Sequence, residues 1–133
     1  MTETEYSLMV QVAQHLAGKP VRLRFKHNKN YLGLCRTDSS GVPVIDLEPS
    51  LQWNEKEFLR VFLHEISHAK NHNFKPMELE VSDKVHQVQD KLYSFRETQA
   101  DTEAETWLQY AEQNRDREKY YYFVGCLLSL LEY

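Results

Sequence analysis

The sequence predicts an α+β domain: one N-terminal helix, a small three-stranded antiparallel sheet, then a wholly helical second half. Three observations predict it. Val21 to Lys26 alternates apolar and basic residues strictly, the period-two pattern of a half-buried strand. Beyond Pro49 the apolar positions recur at three and four residues instead. Only four Gly and four Pro interrupt the 133 residues, so long regular elements are expected. The length suits one domain spanning residues 1–133, and 41% apolar with 27% charged residues is a globular composition.

Glu5 to Ala17 reads as the first helix, stopped by Gly18 and Pro20. Val21 to Lys26 is the first strand, His27-Asn28-Lys29-Asn30 a turn, and Tyr31 to Arg36 the return strand. Thr37 to Gly41 is a second turn and Val42 to Leu47 a third strand, most economically a meander. Asn54 is the expected N-cap of a helix running to about His72, with Glu57 completing a capping-box-like pair. Pro76 opens a further helix whose stripe is Val81, Val85, Val88 and Leu92. Another covers Phe95 to Gln113, either capped at Ser94 or continuous with the one before, and the last runs from Asp116 to Leu131. Four helices therefore follow the sheet. Tyr120, Phe123, Leu127, Leu130 and Leu131 are expected to complete the core, any surplus apolar surface there supporting a dimer.

The net charge of −4 is unevenly spread. No acidic residue lies between Tyr6 and Thr37, a stretch holding Lys19, Arg22, Arg24, Lys26, Lys29 and Arg36. The overall sign argues against nucleic acid as the main partner and leaves a local basic patch. The longest apolar run, from Phe123 to Leu131, is too short to cross a bilayer. The acidic start Met1-Thr2-Glu3-Thr4-Glu5 lacks the basic-then-apolar pattern of a signal peptide. Cys35 and Cys126 are expected as reduced thiols, and a cytoplasmic address is expected by elimination.

The chemistry centres on His64-Glu65-Ile66-Ser67-His68. Histidines four apart on a helix stand one turn apart and roughly 40° around it, so both imidazoles can take corners of one metal's coordination shell. Glu65 points about 100° away from His64, able to flank a metal and take a proton from a water activated there. Phe58, Leu59, Phe62, Leu63, Ile66 and Ala69 gather on the helix's other faces, which gives a rigid support.

A third ligand is sought downstream. Glu97 and Asp101 share a helix face with Ala100, Ala104, Leu108 and Ala111, a face suited to close packing against another helix. Carboxylates on such a face need compensation, which a zinc ion on Glu97 and a ligand histidine oriented by Asp101 would supply. The competing reading of Glu97 is a capping box with Ser94.

With these residues the chain resembles the ImmA/IrrE-type metallopeptidases: His64-Glu65-x-x-His68 is followed some thirty residues later by Glu97-x-x-Ala100-Asp101-x-x-Ala104. The strand Val42 to Leu47 also stands where that family has one leading towards the active-site helix, so the match covers about residues 42 to 110. The resemblance implies a zincin-like fold, Zn2+ held by His64, His68 and Glu97, Glu65 as general base and Asp101 orienting a ligand. It implies a narrow protein substrate, such as a repressor or antitoxin-like regulator in a bacterial or phage setting. Ser67 stands where the family usually has Gly, and Glu103-Ala104 where an aromatic-Ala pair is frequent.

His72 extends the histidine row, but a metzincin-type third histidine would fall at Phe74, so His72 is expected at the surface or behind a ligand. His86, eighteen residues past His68, is the alternative third ligand in the manner of SprT-like proteases. Tyr93, Arg96 and His86 are the positional candidates for stabilising an oxyanion. Zinc-dependent hydrolysis of a peptide bond is the leading expectation. The alternatives are a non-catalytic zinc-containing protein that docks an acidic partner through the sheet face bearing Arg22, Arg24 and Lys26, and a purely structural zinc site.

Overall fold

The computed structural model describes the backbone of residues 1–71 and 83–133, and the side chains of these residues other than 83–90. Helix α1 spans Glu3–Ala17, beginning two residues before the expected start because Thr2 caps it, its hydroxyl accepting the Glu5 amide. Gly18, at φ +69°, closes it in the left-handed conformation that costs a glycine no Cβ clash. Its buried stripe of Met9, Val12, Ala13 and Leu16 faces the core.

Strands β1 (Arg22–Phe25), β2 (Gly33–Thr37) and β3 (Pro43–Leu47) form one mixed sheet in the order β1-β3-β2. The expected three strands are present, but the antiparallel meander is not: β1 pairs parallel with β3, and only β2 runs antiparallel to it. Two physical causes are visible. All five residues of β3 are buried, as a near-continuous apolar run requires of a central strand. Glu48, just past β3, accepts His27 Nδ1 at 2.8 Å and the Asn28 amide at 2.7 Å, which draws the β1–β2 connection across the end of β3. Strand β2 is thereby left at an edge, lying along α2.

Asp46 is the polar exception in β3. It takes two hydrogen bonds from Arg24, at 2.8 and 3.1 Å, and an ion pair from Arg36 at 3.5 Å, while Arg22 reaches Asp38 at 3.4 Å. Two of the three basic residues expected to offer a docking face, Arg22 and Arg24, are therefore met by carboxylates of the sheet and its adjoining turn. Burial pushes the Asp46 carboxyl up, but the Arg24 hydrogen bonds and the charges of both arginines outweigh it and hold the carboxyl below its ordinary value. A depressed carboxyl stabilises the fold above its unfolded pKa, and that contribution is lost as pH falls through the folded value. Asp46→Asn is expected to cost on the order of 1–2 kcal/mol at pH 7, discounted for half-exposed arginines, and to flatten the acid limb of the stability curve. Urea unfolding at pH 7 and pH 3 checks this; an equal loss at both pH values contradicts it.

A short 3-10 turn, Pro49–Trp53, precedes α2 (Glu55–Asn71). Asn54 caps α2 through Oδ1 to the Glu57 amide, but the box is not reciprocal: the Asn54 amide donates to Leu51 and the Glu57 carboxylate turns to Arg60. Helix α3 is one continuous rod, Asp83–Asn114, so Ser94 lies within it and caps nothing. The reading of Glu97 as a capping-box residue falls with that. Helix α4 is Tyr122–Leu130, starting later than Asp116 because Asp116 Oδ1 accepts the amides of Glu118 and Lys119 in a separate turn. Three α-helices thus follow the sheet among the described residues, not four. Pro76, Val81, Val85 and Val88 lie outside the described side chains, and Leu92, the last of that stripe, is 47% exposed.

Helix α2 is the hub. Phe58, Leu59, Phe62, Leu63 and Ile66 are buried against α1, Ile45 and Leu47 of the sheet, Trp107 and Leu108 of α3, and Phe123 and Leu127 of α4. Leu130 is fully buried as expected, whereas Tyr120 and Leu131 are only partly so. Cys35 and Cys126 are free and buried. No described helix is long and apolar enough to cross a membrane.

Candidate metal centre

With one face of α2 committed to the core, His64 and His68 emerge together at its border with α3. Their Nε2 atoms lie 3.0 Å apart. Glu97, from α3, places Oε2 at 2.9 Å from His64 Nε2 and Oε1 at 2.9 Å from His68 Nε2. His64, Glu65 and His68 each bring a ligand atom within 4.8 Å of one another, a group that could hold a metal ion. Of the two carboxylates, Glu97 makes the closer approach, since its oxygens touch both imidazoles.

Asp101 completes the arrangement one turn along α3. His64 Nδ1 donates to Asp101 Oδ1 at 2.7 Å, which fixes the imidazole proton at Nδ1 and turns the Nε2 lone pair towards Glu97 and His68. Electron-rich atoms facing one another at such distances need positive charge between them, from a shared proton or a cation. Donor atoms of a tetrahedral zinc stand roughly 3.3–3.4 Å apart, given bonds of about 2.0–2.1 Å. The present 2.9–3.0 Å separations need open by only a few tenths of an ångström to match. The residues fit a small cation.

Glu65 occupies a different place. It is 5% exposed, points beneath β2, and its Oε2 has no hydrogen-bond partner among the described residues. Burial, and then the nearby negative charge of Glu97, push its carboxyl up to about 8. A cation between Glu97 and the histidines would act in the opposite sense. Gly33 of β2 makes room for this side chain: a Cβ there would stand 2.7 Å from Val61 Cγ1 and 2.9 Å from Glu65 Cγ. Nothing in the local sequence marks Gly33, because the requirement comes from α2, thirty residues on. Gly33→Ala is expected to destabilise the protein by about 1–3 kcal/mol through overpacking. Chemical denaturation measures it, and an unchanged midpoint would contradict the close approach.

A cavity of about 360 Å³ opens beside these groups, walled by Tyr31, Gly33, Val61, Tyr93 and Glu97. Among the three positional candidates for an oxyanion donor, Tyr93 reaches this wall, Arg96 is not part of it, and the His86 side chain lies outside those described. His72 likewise lies outside the described residues, so neither expectation for His72 nor the alternative ligand role of His86 is met by an observation. Edge strand β2 contributes Gly33, Leu34 and Cys35 to the cavity, a participation that strand periodicity alone does not disclose.

No protein-family model, no curated protein and no solved structure matches this chain.

Proposed function

We propose that this chain is a zinc-dependent peptidase, with His64, His68 and Glu97 as metal ligands and Glu65 as general base. The observation that carries the reading is the contact of each Glu97 oxygen with one imidazole Nε2 at 2.9 Å and of the two Nε2 atoms at 3.0 Å, beside buried Glu65, whose Oε2 has no hydrogen-bond partner among the described residues. Two imidazoles and one carboxylate are a donor set characteristic of catalytic zinc, which keeps a further position open. When bound, zinc supplies Lewis-acid polarisation of the scissile carbonyl and acidifies water. Glu65 takes the proton of the attacking water as the new C–O bond forms. It then delivers that proton to the departing amine as the peptide C–N bond breaks. Asp101 keeps the His64 proton on Nδ1 throughout, so that Nε2 stays a ligand. An extended peptide chain suits edge strand β2, whose residues Gly33, Leu34 and Cys35 line the cavity and where a strand could add to the sheet.

The resemblance to the ImmA/IrrE-type pattern supports the same assignment of roles and a narrow protein substrate. The alternative of docking through the basic sheet face of Arg22, Arg24 and Lys26 is weakened, since Arg22 and Arg24 are paired with Asp38 and Asp46. The test is elemental mass spectrometry of the purified chain, followed by zinc titration of chelator-treated protein. One zinc per chain is expected; a chain that arrives without zinc and binds none on titration overturns the reading.

A further inference from the structure

We propose that Glu103 is a positioning residue for this centre: it sets the axial register of α3 on α2, and with it the placement of Glu97 and Asp101 on the two histidines. The inference rests on the metal-centre reading above. Glu103 Oε1 accepts the Ser67 hydroxyl at 2.7 Å and the Asn71 side-chain amide at 3.2 Å, while Oε2 pairs with Lys70 Nζ. All three donors come from the last five residues of α2. Asn71 also donates to the Ser67 carbonyl at 3.0 Å, which ties that turn to itself. Ser67 is 1% exposed and immediately precedes His68. Glu103 follows Asp101 by two residues and Glu97 by six, about 9 Å along the helix axis.

The two helices are thus joined at both ends of a short stretch, by the histidine–carboxylate group at one end and by Glu103 at the other. The buried contact residues of α3 at this stretch are Ala100, between the two attachments, and Ala104, just past Glu103. Alanines let helices approach closely but offer little that resists one helix sliding along the other. The next bulky side chain on that face is Trp107, against which Lys70 Nζ lies at 5.5 Å. A slip of one residue is about 1.5 Å, enough to carry the Glu97 oxygens out of reach of both imidazoles. A carboxylate holding three donors at fixed directions opposes that slip. The Lys70 pair alone is too exposed for the task. The bond to buried Ser67 is the directional part, and it fixes the turn that carries His68 as well as the helix that carries Glu97.

The experiment uses the full chain and its Glu103→Ala, Glu103→Gln and Ser67→Ala variants. Zinc affinity is measured by chelator competition, and the visible ligand-field bands are recorded with cobalt(II) in place of zinc. Glu103→Ala is expected to weaken zinc binding roughly 10–100-fold, the usual effect of removing a residue that orients a ligand, and to shift the cobalt bands. Ser67→Ala is expected to move both readouts the same way by less, and Glu103→Gln, which keeps an acceptor for Ser67, to stay near wild type. A clamp serving stability alone would lower the melting temperature and leave zinc affinity and cobalt bands unchanged in Glu103→Ala and Ser67→Ala; that result overturns the proposal. If Glu103→Ala does not fold, Ser67→Ala carries the same contrast. A wild-type chain that binds neither ion overturns the metal-centre reading and this proposal with it, whereas normal wild-type binding with unaltered variants overturns this proposal alone.

Discussion

Glu65→Gln is expected to abolish peptide cleavage for practical purposes, by roughly 10²–10⁴-fold, the contribution of a positioned general base, while zinc stays bound at one per chain. The substitution preserves side-chain volume beneath Gly33, where the room is limited on one side by Val61. It also introduces no buried charge, because the amide that replaces the carboxyl is neutral. Loss of activity through misfolding is therefore not expected, and unchanged zinc stoichiometry with an unchanged melting temperature would establish that. A proteome-derived peptide mixture, with new termini read by mass spectrometry, serves as the probe. Equal cleavage by wild type and Glu65→Gln would remove Glu65 from the chemistry and leave a zinc protein without this mechanism.

His68→Ala is expected to erase the stabilisation that zinc gives the wild-type chain. A ligand that binds only the folded state stabilises it by about 2.7 kcal/mol at a hundred times its dissociation constant, on the order of 10 °C for a domain of this size. His68 is 6% exposed and stands 2.9 Å from Glu97 Oε1, so truncating it removes one corner of the group and leaves the carboxylate half-partnered. Thermal melts with and without excess zinc measure the effect. His15→Ala on the exposed side of α1 is the control, expected to keep the full zinc shift. A His68→Ala chain that retained the wild-type shift would place the metal elsewhere.

How much of this was legible in the sequence follows from which interactions are local. The boundaries of α1, the cap at Asn54 and the pairing of His64 with His68 are set within a few residues, and all stand close to where spacing puts them. Glu97 and Asp101 were singled out as carboxylates that an alanine-bearing face would bury; His64 and His68 do meet them, but Asp101 is 74% exposed, so burial is not what calls for its partner. Strand order was not legible, because pairing is decided by distant residues. Chain order suggested a meander, and the tie from Glu48 to the β1–β2 loop that sets β3 between the other strands went unseen. Gly33 and Glu103 escaped for the same reason, since each answers to a helix far away in sequence. Ser67 and Glu103 entered the sequence reading as two separate departures from a resembling pattern. In space they are a single 2.7 Å hydrogen bond.

The placing of β3 between the other two strands also bears on how the chain assembles. Strands β2 and β3 are joined by a tight turn in which Asp38 Oδ1 accepts the Ser40 and Val42 amides, so the loop that must close between them is short. Strand β1 reaches the far side of β3 only across the whole intervening segment, at a higher entropic cost of closure. The β2–β3 hairpin is accordingly expected to form first, as the local event, with β1 docking later to complete the sheet. The strand that walls the cavity therefore belongs to the part of the sheet that can form first, and its alignment with β3 does not wait for β1 to dock.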